Sequence, residues 1–187
     1  MKKYVGAFLL LIFFVAGCGN KNTEVADGLD LRQALQKGEG YSFCASVTAD
    51  YGDRIYNFVM DCKALPTGNL EFTVAQPETI NGVTGEVSRE GGKLIFDEQV
   101  ILFEPITQGQ LTPVIGPWLL VKAVQGGYIR SVSENGTAKE VVIDDTYSNE
   151  TFQVILTLQK DQNPAYCQIF WNNRRILSIE IENFKKL

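Results

Sequence analysis

From Phe43 onward, apolar and polar residues alternate with a period of two, in short runs separated by turn residues. Phe43, Ala45, Val47, Ala49 and Tyr51 interleave with Cys44, Ser46, Thr48 and Asp50. Beyond Gly52-Asp53, Tyr56, Phe58, Met60 and Cys62 form a second apolar row against Asn57 and Asp61. Successive side chains of a strand point to opposite faces, so the two runs make a hairpin with one apolar face. Further strands are expected over 70–74, 83–87, 93–97, 100–103, 128–133, 140–144 and 152–158. A closing hairpin runs over 166–171, turns at Asn172-Asn173 and returns over 176–181. About ten short strands of this kind predict a mainly β chain built on one antiparallel, meandering sheet, which must curl or close because so many strands cannot stay flat.

The first hairpin also fixes the expectation for two cysteines. A two-residue turn at Gly52-Asp53 sets Ala45 opposite Met60, Val47 opposite Phe58 and Ala49 opposite Tyr56. Cys44 then faces Asp61 and Cys62 faces Phe43, on opposite sides of the sheet. Pairing the cysteines directly requires a one-residue slip that sets Ser46 against Met60, and a buried face resists such a slip. Cys44 and Cys62 are therefore expected to be unbonded. Cys62 and Cys167, the latter sharing a face with Ile169 and Trp171, are expected as small buried fillers.

The alternation breaks once. Thr112-Pro113 and Gly116-Pro117 both resemble helix starts, residues 114–124 are apolar except for Gly116 and Lys122, and Gly126-Gly127 can end the helix. A helix apolar on all sides must be covered on all sides. On an open curved sheet that place is the concavity, with more chain over the helix's back. Two readings follow: an ordinary core helix, or a lid over an apolar cavity. Ahead of the strands, 30–38 reads as a short amphipathic helix with Leu31, Ala34 and Leu35 on one face, Asp27 or Asp30 as cap and Gly38 at its exit.

The N-terminus has a different character. Lys2 and Lys3 precede an apolar run from Val5 to Ala16, too short for the roughly 20 residues of a membrane-spanning helix. The run ends in Val15-Ala16-Gly17-Cys18, which resembles the bacterial lipobox. This divides the chain into a lipoprotein signal peptide (1–17), a lipidated Cys18 with a flexible tether (18–28) and a β domain (29–187). A diacylglyceryl thioether on Cys18 would hold the protein at the extracytoplasmic face of the cell membrane, since two acyl chains anchor durably where one binds only reversibly. Removing Lys2 and Lys3 with the signal takes the formal charge from −5 to −7.

An acidic chain with scattered charge lacks the basic face that nucleic acid requires. The chain has no histidine, which removes Ser-His-Asp and Cys-His catalysis and the usual histidine-bearing metal sites. The carboxylate doublets Asp97-Glu98 and Asp144-Asp145 point to opposite faces of a strand and are expected to be solvated strand ends. No enzyme activity, metal or cofactor is expected. Asn135-Gly136-Thr137 and Asn149-Glu150-Thr151 match a glycosylation pattern by coincidence, in polar turns.

Three stretches carry a family likeness: Phe72-Thr73-Val74 through Pro77-Glu78-Thr79-Ile80-Asn81-Gly82-Val83, then Pro113 to Tyr128, and then Arg174-Arg175-Ile176-Leu177-Ser178 to Asn183-Phe184. In these the chain resembles the LolA-like group of bacterial lipoproteins and lipoprotein carriers, and more narrowly a set of lipoproteins from Gram-positive anaerobes. The resemblance implies an incomplete, half-open barrel with an apolar helix in or over the concavity, binding acyl chains or another apolar ligand. Soluble carriers of this group are released into the periplasm, whereas Cys18 would tether this chain. The inward-facing residues expected to line the cavity are Phe58, Met60, Phe72, Val74, Phe96, Phe103, Val154, Leu156 and Leu158, with Trp118 and Leu119 from the helix. The alternative is an anchored interaction module whose barrel is filled by its own side chains. A continuous apolar void of roughly 300 Å³ or more would mark the binder.

Overall fold

The computed structural model describes residues 21–107 and 110–187, so the signal segment 1–17 and Cys18 lie outside the described residues. Helix α1 (Lys21–Gln36) leads into a meander of β1 (Tyr41–Asp50), β2 (Ile55–Ala64), β3 (Leu70–Gln76), β4 (Thr84–Ser88), β5 (Gly91–Phe96) and β6 (Gln99–Phe103). A small ribbon of β7 (Ile106–Thr107) and β8 (Gln110–Leu111) precedes helix α2 (Gly116–Gly126). A second meander follows: β9 (Tyr128–Asn135), β10 (Ala138–Tyr147), β11 (Glu150–Leu158), β12 (Pro164–Trp171) and β13 (Arg174–Lys186).

The two meanders join where β1 pairs with β13, giving an eleven-stranded, fully antiparallel sheet in the order β6-β5-β4-β3-β2-β1-β13-β12-β11-β10-β9. The sheet is curved and not closed, with β6 and β9 as its edges. The curled antiparallel sheet expected from the alternation, and the half-open form that the resemblance implied, are the architecture observed. Topology explains the helix. The chain leaves the first meander at one edge and enters the second at the other, so 104–127 must cross between them. An apolar segment crosses where it can be buried, over the concave face. Helix α2 accordingly meets β1, β2 and β3 from one half and β10, β12 and β13 from the other.

Turn chemistry sets the register. Asp97-Glu98, Ser148-Asn149 and Asn172-Asn173 all have positive φ at both residues, the two-residue hairpin geometry that matches strand twist. The β1–β2 register is the one derived from the apolar rows, with Ala45 opposite Met60, Val47 opposite Phe58, Cys44 opposite Asp61 and Phe43 opposite Cys62. Cys44, Cys62 and Cys167 are free thiols.

Four features depart from expectation. Helix α1 begins at Lys21, inside the stretch read as tether, rather than near Asp30. Gly28, read as a flexible residue, is a buried contact point: a Cβ there would lie 3.1 Å from Ile129 and 3.2 Å from Val132 of β9. The small ribbon β7–β8 is additional. The fourth departure is Phe96, which is 55% exposed at the tip of the β5–β6 hairpin instead of facing the core. The tip of this hairpin lies beyond β1, β2 and β3, the strands of the first half that α2 mainly meets.

Candidate functional site

The concave face is the candidate site, and the inward rows of the strands build it. Met60, Phe72, Val74, Val154, Leu156 and Leu158 are buried there, together with Ala45, Val47, Ile169 and Ile179. Phe58 and Phe103 are half-buried at its margins. Phe103 covers Gly92, where a Cβ would stand 2.2 Å from the ring, and Phe72 lies over Gly85 in the same way at 2.4 Å. Glycine at these two inward positions makes room for the neighbouring aromatic.

Trp118 and Leu119 do meet this surface, but as what fills it. Every residue of α2 from Gly116 to Val124 is buried. Trp118 is fully buried, edge-on to Tyr147 with ring centroids 5.3 Å apart, and its Nε1 donates to the Gly68 carbonyl at 3.1 Å. The back of α2 is covered by α1, through Leu31 and Leu35. Beside α2, a partly open apolar crevice of about 10 Å³ is left between Leu35, Tyr41, Phe43, Leu120, Val124, Pro164, Ile181 and Phe184. A void of that size and lining stays dry and holds no ligand. In this state the half-barrel is filled.

Polar contacts hold the helix at its ends and at its one charge. Arg32 of α1 donates through Nε to the Val124 carbonyl at 2.8 Å and through Nη2 to the Gly127 carbonyl. A cation beside these carbonyls complements the helix C-terminus. Burial lowers the Arg32 pKa, and the nearby Asp145 carboxylate partly restores it. Gln36 and Gln125 add bonds to the Gln125 and Leu65 carbonyls at 2.9 and 3.3 Å. Lys122 donates to Asp145 Oδ2 at 2.6 Å and to the Thr146 carbonyl at 2.7 Å. Sequence reasoning missed this pair. Asp144 does point outward, to Arg130, but Asp145 points inward, with its side chain only 12% exposed. The signal was the single lysine in an otherwise apolar helix, which had to find a buried partner.

At the head of α2 the concavity opens into a cleft of about 440 Å³ lined by Tyr51, Tyr56 and Phe58 with Arg54, Leu111 and Pro113. Tyr56 stacks on Phe58 with centroids 6.4 Å apart and meets Tyr51 edge-on at 6.0 Å. This aromatic ladder forms the mouth of the half-barrel. Among the described residues no group of three or more Cys, Asp or Glu side chains could hold a metal ion. Among them, too, no helix is long and apolar enough to cross a membrane.

No protein-family model matches the chain, and no curated protein matches it either. Among solved structures, the chain is similar over 89% of its length to 93% of a putative outer membrane lipoprotein-sorting protein domain from Vibrio parahaemolyticus, at 10% identity and a TM-score of 0.48. It is similar over 88% of its length to 94% of a LolA superfamily protein from Nitrosomonas europaea, at 7% identity and a TM-score of 0.47. The Mycobacterium tuberculosis lipoprotein LppX matches over 84% of this chain and 93% of its own, at 10% identity and a TM-score of 0.38. At these identities and TM-scores the likenesses carry no argument about ligand or partner.

Proposed function

We propose that this protein is an anchored binder of an apolar ligand. In this reading Cys18 bears the diacylglyceryl anchor at the extracytoplasmic face of the cell membrane. The half-barrel takes acyl chains in its concavity, and helix α2 acts as a stopper when it is empty. The observation that carries the reading is the seating of α2. A helix apolar on every face occupies the concave side of a sheet that stays open, and its polar attachments sit at its ends and at Lys122. Glycines flank it, Gly116 at its start and Gly126-Gly127 at its end, and the aromatic mouth lies at its head.

Magnitudes restrict the ligand. Complete displacement of α2 would expose seven buried apolar side chains (Pro117, Trp118, Leu119, Leu120, Val121, Ala123 and Val124). That costs on the order of 10–20 kcal/mol, whereas one acyl chain of about 15 methylenes returns on the order of 12 kcal/mol. One chain's return falls inside the range of that cost, whereas two chains, returning on the order of 24 kcal/mol, exceed all of it, so a diacyl lipid is the fitting ligand class.

A second reading is favoured by the void of about 10 Å³: the barrel is self-filled, α2 never leaves, and an anchored interaction module acts through its outer surface. Mass spectrometry of lipids co-purifying with residues 19–187 separates the two. Stoichiometric diacyl lipid supports the binder. No lipid, and no uptake from vesicles, leaves the interaction module. The anchor is tested apart, by Cys18→Ala: the variant should leave the membrane fraction, and its retention there at high salt would place the attachment elsewhere.

A further inference from the structure

The two edges of the sheet are treated differently. Edge strand β9 is covered by α1, which meets it at Gly28, and it carries Arg130 and Glu134. Edge strand β6, Gln-Val-Ile-Leu-Phe over 99–103, carries no charge, no proline and no bulge, and among the described residues no strand pairs with its outer side. Proteins ordinarily blunt a free edge with such devices, because unpaired N–H and C=O groups recruit other chains. Here the edge is apolar on both faces: Val100, Ile101 and Leu102 are 58%, 58% and 79% exposed, next to the exposed Phe96.

The hairpin turn shows which backbone groups are free. Phe96 and Gln99 close the two-residue turn Asp97-Glu98 as the hydrogen-bonded pair, so bonded and non-bonded pairs alternate from there. Leu94 with Ile101 is a bonded pair. Val100 and Leu102, opposite Ile95 and Lys93, are not, and their N–H and C=O groups point away from β5. An added strand meets a correctly spaced row of donors and acceptors.

Charge selects the occupant. Acids bracket the strand, Asp97 and Glu98 before it and Glu104 after it. At the Phe103 end an open groove of about 560 Å³ brings in Glu86 and Glu90 as well. The hairpin's single cation, Lys93, is already taken by Glu86 at 2.7 Å. A second copy brings the same acids to both ends of the edge; in the two-fold antiparallel register centred on Ile101, Glu98 of one copy stands against Glu104 of the other twice, and like charges directly opposite repel. We infer that β6 is a docking edge for an extended apolar segment of a partner that bears Lys or Arg at both ends, bound by strand addition. The inference is independent of whether the barrel takes a ligand.

The test uses the purified chain and two synthetic peptides of alternating threonine and valine, one ending in lysine pairs and the other in glutamate pairs. At low salt the lysine-ended peptide should bind at least about tenfold tighter, and salt should erode the preference. Leu102→Pro removes an outward N–H without cutting the β5–β6 ladder, and should lower binding by about tenfold or more. Glu98→Lys with Glu104→Lys should reverse the preference to the glutamate-ended peptide, which keeps the test decisive if the proline variant folds poorly. Equal binding of both peptides, or no reversal in the charge variant, would overturn the inference. So would a homodimer through β6 that the lysine-ended peptide does not dissociate.

Discussion

Lys122 Nζ lies 2.6 Å from Asp145 Oδ2, with the two side chains 9% and 12% exposed, and so ties the middle of α2 to the inner face of β10. Removing one member of a buried pair strands the other charge, whereas replacing both by apolar groups can be neutral or stabilising. Lys122→Ala should therefore destabilise the fold by about 3–5 kcal/mol. Lys122→Met with Asp145→Leu should recover most of that loss. Urea unfolding of both variants checks it; a double variant as unstable as the single one would show that the pair itself contributes the stability.

Gly92→Ala should cost about 1–3 kcal/mol, because the new methyl would stand 2.2 Å from the Phe103 ring and the ring must leave its place. Trimming the ring in Gly92→Ala/Phe103→Leu should return part of the loss. Thermal unfolding of the three chains decides whether the ring contact is the cause: if the double variant is no better than Gly92→Ala, the clash lies elsewhere.

Alkaline pH should loosen the mouth. The Tyr51 hydroxyl donates to the Leu111 carbonyl at 2.6 Å, and burial, with a smaller contribution from Tyr56, pushes its pKa up from 10.0 to about 12. The unfolded chain gives up this proton first as pH rises, so it binds fewer protons than the native state between pH 10 and about 12. Stability is full below pH 10 and falls through that window. Tyr51→Phe should be less stable at pH 8 but should lose less between pH 9.5 and 11 than the parent chain. Equal losses in the two chains would assign the alkaline sensitivity to another group, such as the buried Tyr41, whose pKa burial also raises.

The thiols should differ in reach. Cys44 is half-buried on the outer face, while Cys62 and Cys167 are buried in the inner rows. Burial raises all three pKa values, and Asp61 and Glu182 raise that of Cys44 further. In residues 19–187, native alkylation at pH 8 should label Cys44 alone, and more slowly than a free cysteine, because the thiolate is the nucleophile. Non-reducing peptide mapping should show no Cys44–Cys62 link. Labelling of Cys62 before unfolding would mean that the inner row opens.

The strands, their alternation and the β1–β2 register were legible because period-two patterning reports directly which face is buried. The place of α2 was legible too, since an all-apolar helix has nowhere else to go. What local pattern could not report was reach across the fold. Asp145 looked like a solvated strand end because its partner is brought to it only by the crossing of α2. Phe96 shared a strand pattern with residues that do face inward, but nothing local says that the tip of the β5–β6 hairpin lies beyond the strands that α2 mainly meets. A signal was present in the near-continuous run of Ile95, Phe96, Val100, Ile101 and Leu102, interrupted only by Asp97-Glu98-Gln99. A strand apolar on both faces is either covered twice or left bare, and here it is bare. Gly28 was read by its flexibility, whereas what matters there is the missing side chain that brings α1 onto β9.

If α2 is an exchangeable stopper, amide hydrogen exchange over Gly116–Gly126 will show it most directly. The protein is titrated with vesicles of a diacyl phospholipid and, in parallel, with single-chain lysolipid micelles. Diacyl lipid should strip protection from α2 while the ladders from β1 to β3 and β10 to β13 stay protected, and lysolipid should do so far less. Protection of α2 that stays as high as that of the central strands, with either lipid, would contradict it.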